Sequence, residues 1–162
     1  MTQLYLSHNS ISDEGAKFIA LALKTNATLI WLALNGCKIT DDGFALFADV
    51  LSTNHTLQTL ELCDNPFTDI GLMGLSMGLR KNRGLRIIRL YPNVDVTLSG
   101  VTSECMNSFV LGLADHKYIT TLDIGSYFCK LDQSVQEAVI LFKEERNGTV
   151  AIQHGLSKEL RL

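Results

Sequence analysis

The apolar positions of this chain change period within a short stretch and then start again. Leu4-Tyr5-Leu6 puts leucines on alternate residues, the two-residue period of a strand, and Ala16, Ile19 and Leu23 follow at the spacing of one helix face. The same switch recurs from Leu32 and Leu34 to Phe44, Phe47 and Leu51, and again from Leu60 and Leu62 to Leu72, Leu75 and Leu79. Each stretch predicts one strand followed by one helix.

The repeat interval is 28 residues, which aligns Leu4, Leu32, Leu60 and Ile88, with Leu6, Leu34, Leu62 and Leu90 two residues behind them. The same shift aligns Asn9, Cys37, Asn65 and Asn93, then Ile11, Ile39 and Phe67, then Asp13, Asp41 and Asp69, then Gly15, Gly43 and Gly71. Units close through Asn26, Asn54 and Asn82, each followed three residues later by Leu29, Leu57 and Leu85. One strand and one helix cannot bury their apolar faces alone, whereas stacked units share a core beneath one parallel sheet. The expected fold is therefore an α/β solenoid, a right-handed β-α superhelix with a curved parallel sheet on the concave side and helices on the convex side. It forms a single domain over 1–162, with units at 2–28, 29–56, 57–84, 85–118 and 119–149 and an irregular C-terminal cap at 150–162.

The later units depart from the pattern. Aligning Ile119 with Leu85 gives the fourth unit 34 residues and places an insertion within Val94 to Glu104. The fifth, Leu122-Asp123-Ile124, has Tyr127 where Asn is expected and predicts a helix over Gln133 to Glu144. Thr149 to Ile152 reads as a last strand and Leu156 to Leu162 as its cover. At the other end the chain enters its first strand almost directly, so an open strand edge is expected there, suited to further repeats or to self-association.

The segment Leu29-x-x-Leu32-x-Leu34-x-x-Cys37-x-Ile39-x-Asp41-x-Gly43, closing with Leu51-x-x-Asn54-x-Thr56-Leu57, resembles the ribonuclease-inhibitor-like class of leucine-rich repeats. The resemblance covers residues 2 to 85 closely and continues with insertions to about 150. Members of the class include the repeat regions of NOD-like receptors, ribonuclease inhibitor and bacterial effectors. The resemblance implies binding of a macromolecular partner, usually on the concave sheet. Ran GTPase-activating proteins also resemble this class, which leaves GTPase activation as an alternative, and a bacterial effector working in a host cytosol as another.

Composition narrows the function. With 46% apolar residues and 19% charged residues the chain can bury a continuous core. A net charge of −3 and basic residues read as unclustered argue against nucleic acid, and the absence of a long apolar run argues against a membrane partner. The opening MTQLYLSHNS lacks the pattern of a secretory signal, and Cys37, Cys63, Cys105 and Cys129 form no CxxC pair, so a cytoplasmic protein with reduced thiols is expected. His8, His55, His116 and His154 occupy unrelated repeat positions, and no residues at metal-site, phosphate-loop or nucleophile-elbow spacing accompany them. A chain without enzymatic activity, cofactor or metal is expected.

The residues between the core leucines form columns on the concave face. One column is Gln3, Trp31, Thr59, Ile87 and Thr121; the next is Tyr5, Ala33, Glu61, Arg89 and Asp123; a third is Ser7, Asn35, Cys63, Tyr91 and Gly125. Tyr, Trp and Arg supply most interface hot spots, so Tyr5, Trp31, Glu61, Ile87, Arg89, Tyr91 and Asp123 are the candidate contacts for a protein partner. Trp31, Tyr5, Ile87 and Tyr91 are expected to face solvent. Glu61, Arg89 and Asp123 are expected to form an alternating charge ladder across three strands. The tripeptides Asn26-Ala27-Thr28, Asn54-His55-Thr56 and Asn147-Gly148-Thr149 fit the glycosylation pattern, but their shared place in the repeat reads as turn chemistry, with Asn leaving the helix in the left-handed conformation.

Overall fold

The computed structural model describes residues 1–91, 100–114, 116–125 and 131–136. Strands β1 (Gln3–Tyr5), β2 (Trp31–Ala33), β3 (Thr59–Glu61), β4 (Ile87–Arg89) and β5 (Thr121–Asp123) form one parallel sheet in sequence order. Helices α1 (Ser12–Leu23), α2 (Asp41–Leu51), α3 (Asp69–Leu79) and α4 (Ser103–Ala114) connect them. The repeat interval is the hydrogen-bonded register itself, since Leu4, Leu32, Leu60, Ile88 and Leu122 pair in turn from strand to strand. The longer fourth unit preserves it, with Arg89 opposite Asp123. Asn93, residues 94–99 of the insertion, Tyr127, the helix beyond Gln136, the Thr149–Ile152 strand and the Leu156–Leu162 cover lie outside the described residues, whereas 133–136 are helical.

The period switch explains the core. Leu32, Leu34, Leu60, Leu62, Ile88 and Leu90 point from the sheet onto Phe44, Phe47, Leu51, Leu72, Leu75 and Leu79 of the helices, and all are essentially inaccessible to solvent. Burying such a side chain contributes about 1.5–3 kcal/mol. In the first unit, Leu4, Leu6, Ile11 and Ile19 are only partly buried, because among the described residues no strand pairs with the outer edge of β1.

Polar rungs join the units. Asn65 lies buried at the turn after β3, where its Oδ1 accepts the Cys37 and Ile39 amides at 3.0 Å and its Nδ2 donates to the Leu34 carbonyl at 2.9 Å. Cys37 occupies the equivalent inward site, its thiol donating to the Leu6 carbonyl at 3.2 Å. A second rung follows each helix. Asn82 donates to the Leu51 and Asn54 carbonyls and accepts the Gly84 and Leu85 amides, as Asn54 does one unit earlier with Leu23, Asn26, Thr56 and Leu57. The expected left-handed backbone is absent at these positions: the described non-glycine residues with positive φ are His8, Ser12, Lys38 and Asp64. The asparagines use their side chains to satisfy backbone groups that the helix end leaves open.

Of the histidines, which occupy unrelated repeat positions, His116 has a place in the inter-unit rungs. It stands 34 residues after Asn82 and takes its place, with Nε2 3.0 Å from the Leu79 carbonyl and Nδ1 accepting the Tyr118 and Ile119 amides. One ring nitrogen at each end of the imidazole reproduces the donor and acceptor of the Asn amide.

Candidate binding face

Parallel in-register pairing places Gln3, Trp31, Thr59, Ile87 and Thr121 in one row and Tyr5, Ala33, Glu61, Arg89 and Asp123 in the next, on the face away from the helices. Three-residue strands offer each unit only two such outward positions, so every side chain there meets its neighbours from adjoining units.

The expectation that four large residues stand free in solvent is met by Tyr5 alone, which is 58% exposed. Trp31, Ile87 and Tyr91 are half-buried. Trp31 packs between Tyr5, whose ring centroid lies 5.7 Å away, and Arg89, whose guanidinium carbon lies 5.9 Å from the indole. β2 and β4 are about 9.5 Å apart across β3, so Trp31 and Arg89 lean toward each other over Thr59, which is only 5% exposed. The indole Nε1 is buried without a hydrogen-bond partner among the described residues.

The charge ladder forms, but unevenly. Arg89 Nη1 pairs closely with Glu61 Oε1, and Arg89 Nε lies 3.8 Å from Asp123 Oδ2. Asn35, which sequence reasoning left out of the site, donates to Glu61 Oε2 at 2.8 Å and fixes its second oxygen. Its neighbouring column was visible, but the diagonal reach of its amide was not. Asp123, expected among the contact residues, has a side chain only 3% exposed, so it supports Arg89 from below and offers no surface to a partner. Burial pushes its carboxyl above the usual range, against the opposing effects of the Gly125 amide and Arg89.

Two thiols near the sheet and helices are inert. Burial pushes Cys63 up to about 12 and Cys105 up to about 11, so neither provides a thiolate at neutral pH. Tyr91, beside Cys63, is also raised, first by burial and then by that thiol. Among the described residues no group of three or more His, Cys, Asp or Glu side chains is placed to hold a metal ion, and no helix is long and apolar enough to cross a membrane. Four of the 14 basic residues, read as unclustered in the sequence, come together: Arg80, Lys81, Arg83 and Lys117 line one recess after α3 and α4.

Strand–helix units stacked in register under one parallel sheet, joined by Asn and Asp rungs, define an α/β solenoid. The family model described as the leucine-rich repeat matches residues 1–20, 25–48 and 53–76, so the chain carries leucine-rich repeats over those stretches. A solved structure described as "Leiomodin-1 Actin-Binding Site 2 (ABS2)" shares the fold with a TM-score of 0.74 at 20% identity, covering 91% of this chain and 80% of that one. No curated protein matches the chain by sequence.

Proposed function

We propose that this leucine-rich-repeat chain is a non-enzymatic module that binds a protein partner across the concave face of its sheet. The observation that carries the reading is the Tyr5–Trp31–Arg89 cluster, aromatic and cationic side chains from three different units set side by side on the helix-free face. Tyr5 offers the exposed apolar surface, Ile87 and Tyr91 extend it, and Glu61 and Asn35 hold Arg89 in place. A partner meets rings whose rotamers are already restricted, which lowers the entropy lost on binding. The neighbouring fold whose description names an actin-binding site supports a protein as the class of partner. A place in the cytoplasm, where buried Cys37, Cys63 and Cys105 remain free thiols, belongs to the same reading, as does the ribonuclease-inhibitor-like subclass.

GTPase activation, the alternative reading, needs an arginine free to reach a transition state, and Arg89 is engaged by Glu61. The test is affinity capture with the wild-type chain and with Tyr5→Ala/Arg89→Ala, read by quantitative mass spectrometry. Partners retained by the wild type and lost from the double variant support the concave face. Equal capture by both, with both folded, removes it.

A further inference from the structure

The recess after α3 and α4 has no part in the concave face. Two consecutive inter-unit loops form it, and its volume is about 570 Å³. Arg80, Lys81, Arg83 and Lys117 line it together with Asn82, His116 and Tyr118, and the four cations are exposed. Among the described residues the ion pairs are Lys24–Asp49, Arg89–Glu61 and Arg89–Asp123, none of which involves these four. Cations near a helix C-terminus offset the helix dipole, which accounts for Arg80 and Lys81 beside the end of α3. Arg83 and Lys117 lie beyond the helix ends, where that explanation weakens.

The platform beneath the charges is fixed. Asn82 ties the first loop to the Leu51 and Asn54 carbonyls at 2.8 Å, and His116 ties the second to Leu79 at 3.0 Å. Gly84 packs so closely on His55 that a Cβ there would overlap its backbone, and His55 Nδ1 accepts the Arg83 amide at 3.4 Å. Tyr118 is held in turn by Arg86, whose guanidinium carbon lies 5.4 Å from the ring centroid.

We infer that this recess is a second binding site, for a short carboxylate-rich segment of a protein partner. Cations that form no ion pair among the described residues and line one concavity suit a local cluster of negative charge. A phosphate backbone calls for a track of cations along several units, and among the described residues the track does not extend toward the first units: Arg80 aligns with Lys24, already paired with Asp49, and with Ser52, while Lys81 aligns with Thr25 and Thr53. A bounded recess also suits a peptide better than the flat plane of a membrane.

The probe is a fluorescein-labelled peptide of alternating Glu and Ser, with a Gln-for-Glu peptide as control, followed by fluorescence anisotropy on the full chain. Saturable binding of the Glu peptide alone is expected, weakening as salt rises. Arg80→Glu with Lys117→Glu, one change from each loop, should weaken it on the order of tenfold, since two exposed attractions are lost and reversal adds repulsion. Lys24→Glu should leave it unchanged. Thermal unfolding checks that the variants fold, and Lys81→Gln with Arg83→Gln serves as the milder pair should the reversal destabilise the loops. No binding of the Glu peptide, equal binding by the loop variants, or tighter loop-dependent binding of a single-stranded oligonucleotide or of phosphatidylserine vesicles would overturn the inference.

Discussion

The Asp41 carboxylate fills the space where a side chain on Gly71 would begin. Its Oδ1 accepts the Gly71 amide at 3.0 Å, and a Cβ on Gly71 would lie 2.5 Å from that oxygen and 3.2 Å from the Asp41 Cα. The same carboxylate takes the Thr68 amide and hydroxyl at 2.7 and 2.6 Å, so an acid from one unit caps the next helix. Asp13 does this for Thr40 and Gly43, and Asp69 for Thr102. Glycine recurs here because the cap arrives from outside its own helix.

Gly71→Ala and Gly112→Ala should therefore change stability in opposite directions. Gly71→Ala forces the Asp41 cap aside and should cost about 2 kcal/mol, a charged hydrogen bond plus crowding. A Cβ on Gly112 meets only Ser76 Oγ at 3.7 Å, so alanine there should be neutral or stabilise by up to about 1 kcal/mol through helix propensity. Urea unfolding midpoints measure both, and a matching loss at Gly112 would count against this account.

His116→Asn should fold nearly as well as the wild type, whereas His116→Ala should lose about 1–3 kcal/mol by leaving the Leu79 carbonyl and the Ile119 amide unpaired. Equal losses in the two variants would show that the ring's bulk matters and its hydrogen bonds do not.

Stability should fall on the alkaline side. Cys63 and Cys105 titrate near 9.0 when unfolded and at about 12 and about 11 when folded, so the unfolded chain sheds these protons first. Their contribution is complete below pH 9.0 and is lost as pH rises toward those folded values. Tyr91, also raised, adds to the loss above 10.0. A urea midpoint lower at the alkaline end is expected, with a smaller drop in Cys63→Ala. The same midpoint for wild type across that range would contradict it.

Trp31 is the chain's only tryptophan, so its fluorescence reports on the cluster directly. With Nε1 buried and Arg89 over the ring, emission should shift to the red in Arg89→Ala and in Glu61→Gln, which loosens the guanidinium. Trp31→Ala itself should cost about 1–3 kcal/mol, because the half-buried indole packs between Tyr5 and Arg89 instead of standing in solvent. Unshifted spectra would mean that Arg89 does not restrict the indole.

The fold was readable because each rule acted locally. The Leu32, Leu60 and Ile88 register needed only the interval and the strand period, and it predicted the rows of the sheet face residue by residue. Burial on that face was not readable, since Trp31 and Arg89 meet across an intervening strand and Asp123 sinks beneath Arg89. The 34-residue interval already aligns His116 with Asn82, but the change of residue type concealed that an imidazole can make the same pair of hydrogen bonds as an amide. Three of the recess cations stood together in the sequence as Arg80, Lys81 and Arg83; the fourth, Lys117, comes from the next unit's loop.

The most direct test of concave-face binding is site-specific photocrosslinking from positions on opposite sides of the solenoid. A photoreactive phenylalanine analogue replaces Tyr5, exposed on the sheet, or Met73, 63% exposed on α3. The account predicts a covalent adduct with a protein partner from position 5 that disappears when Trp31→Ala is added, and none from position 73. Adducts from position 73 alone, or a position 5 adduct indifferent to Trp31→Ala, would contradict it.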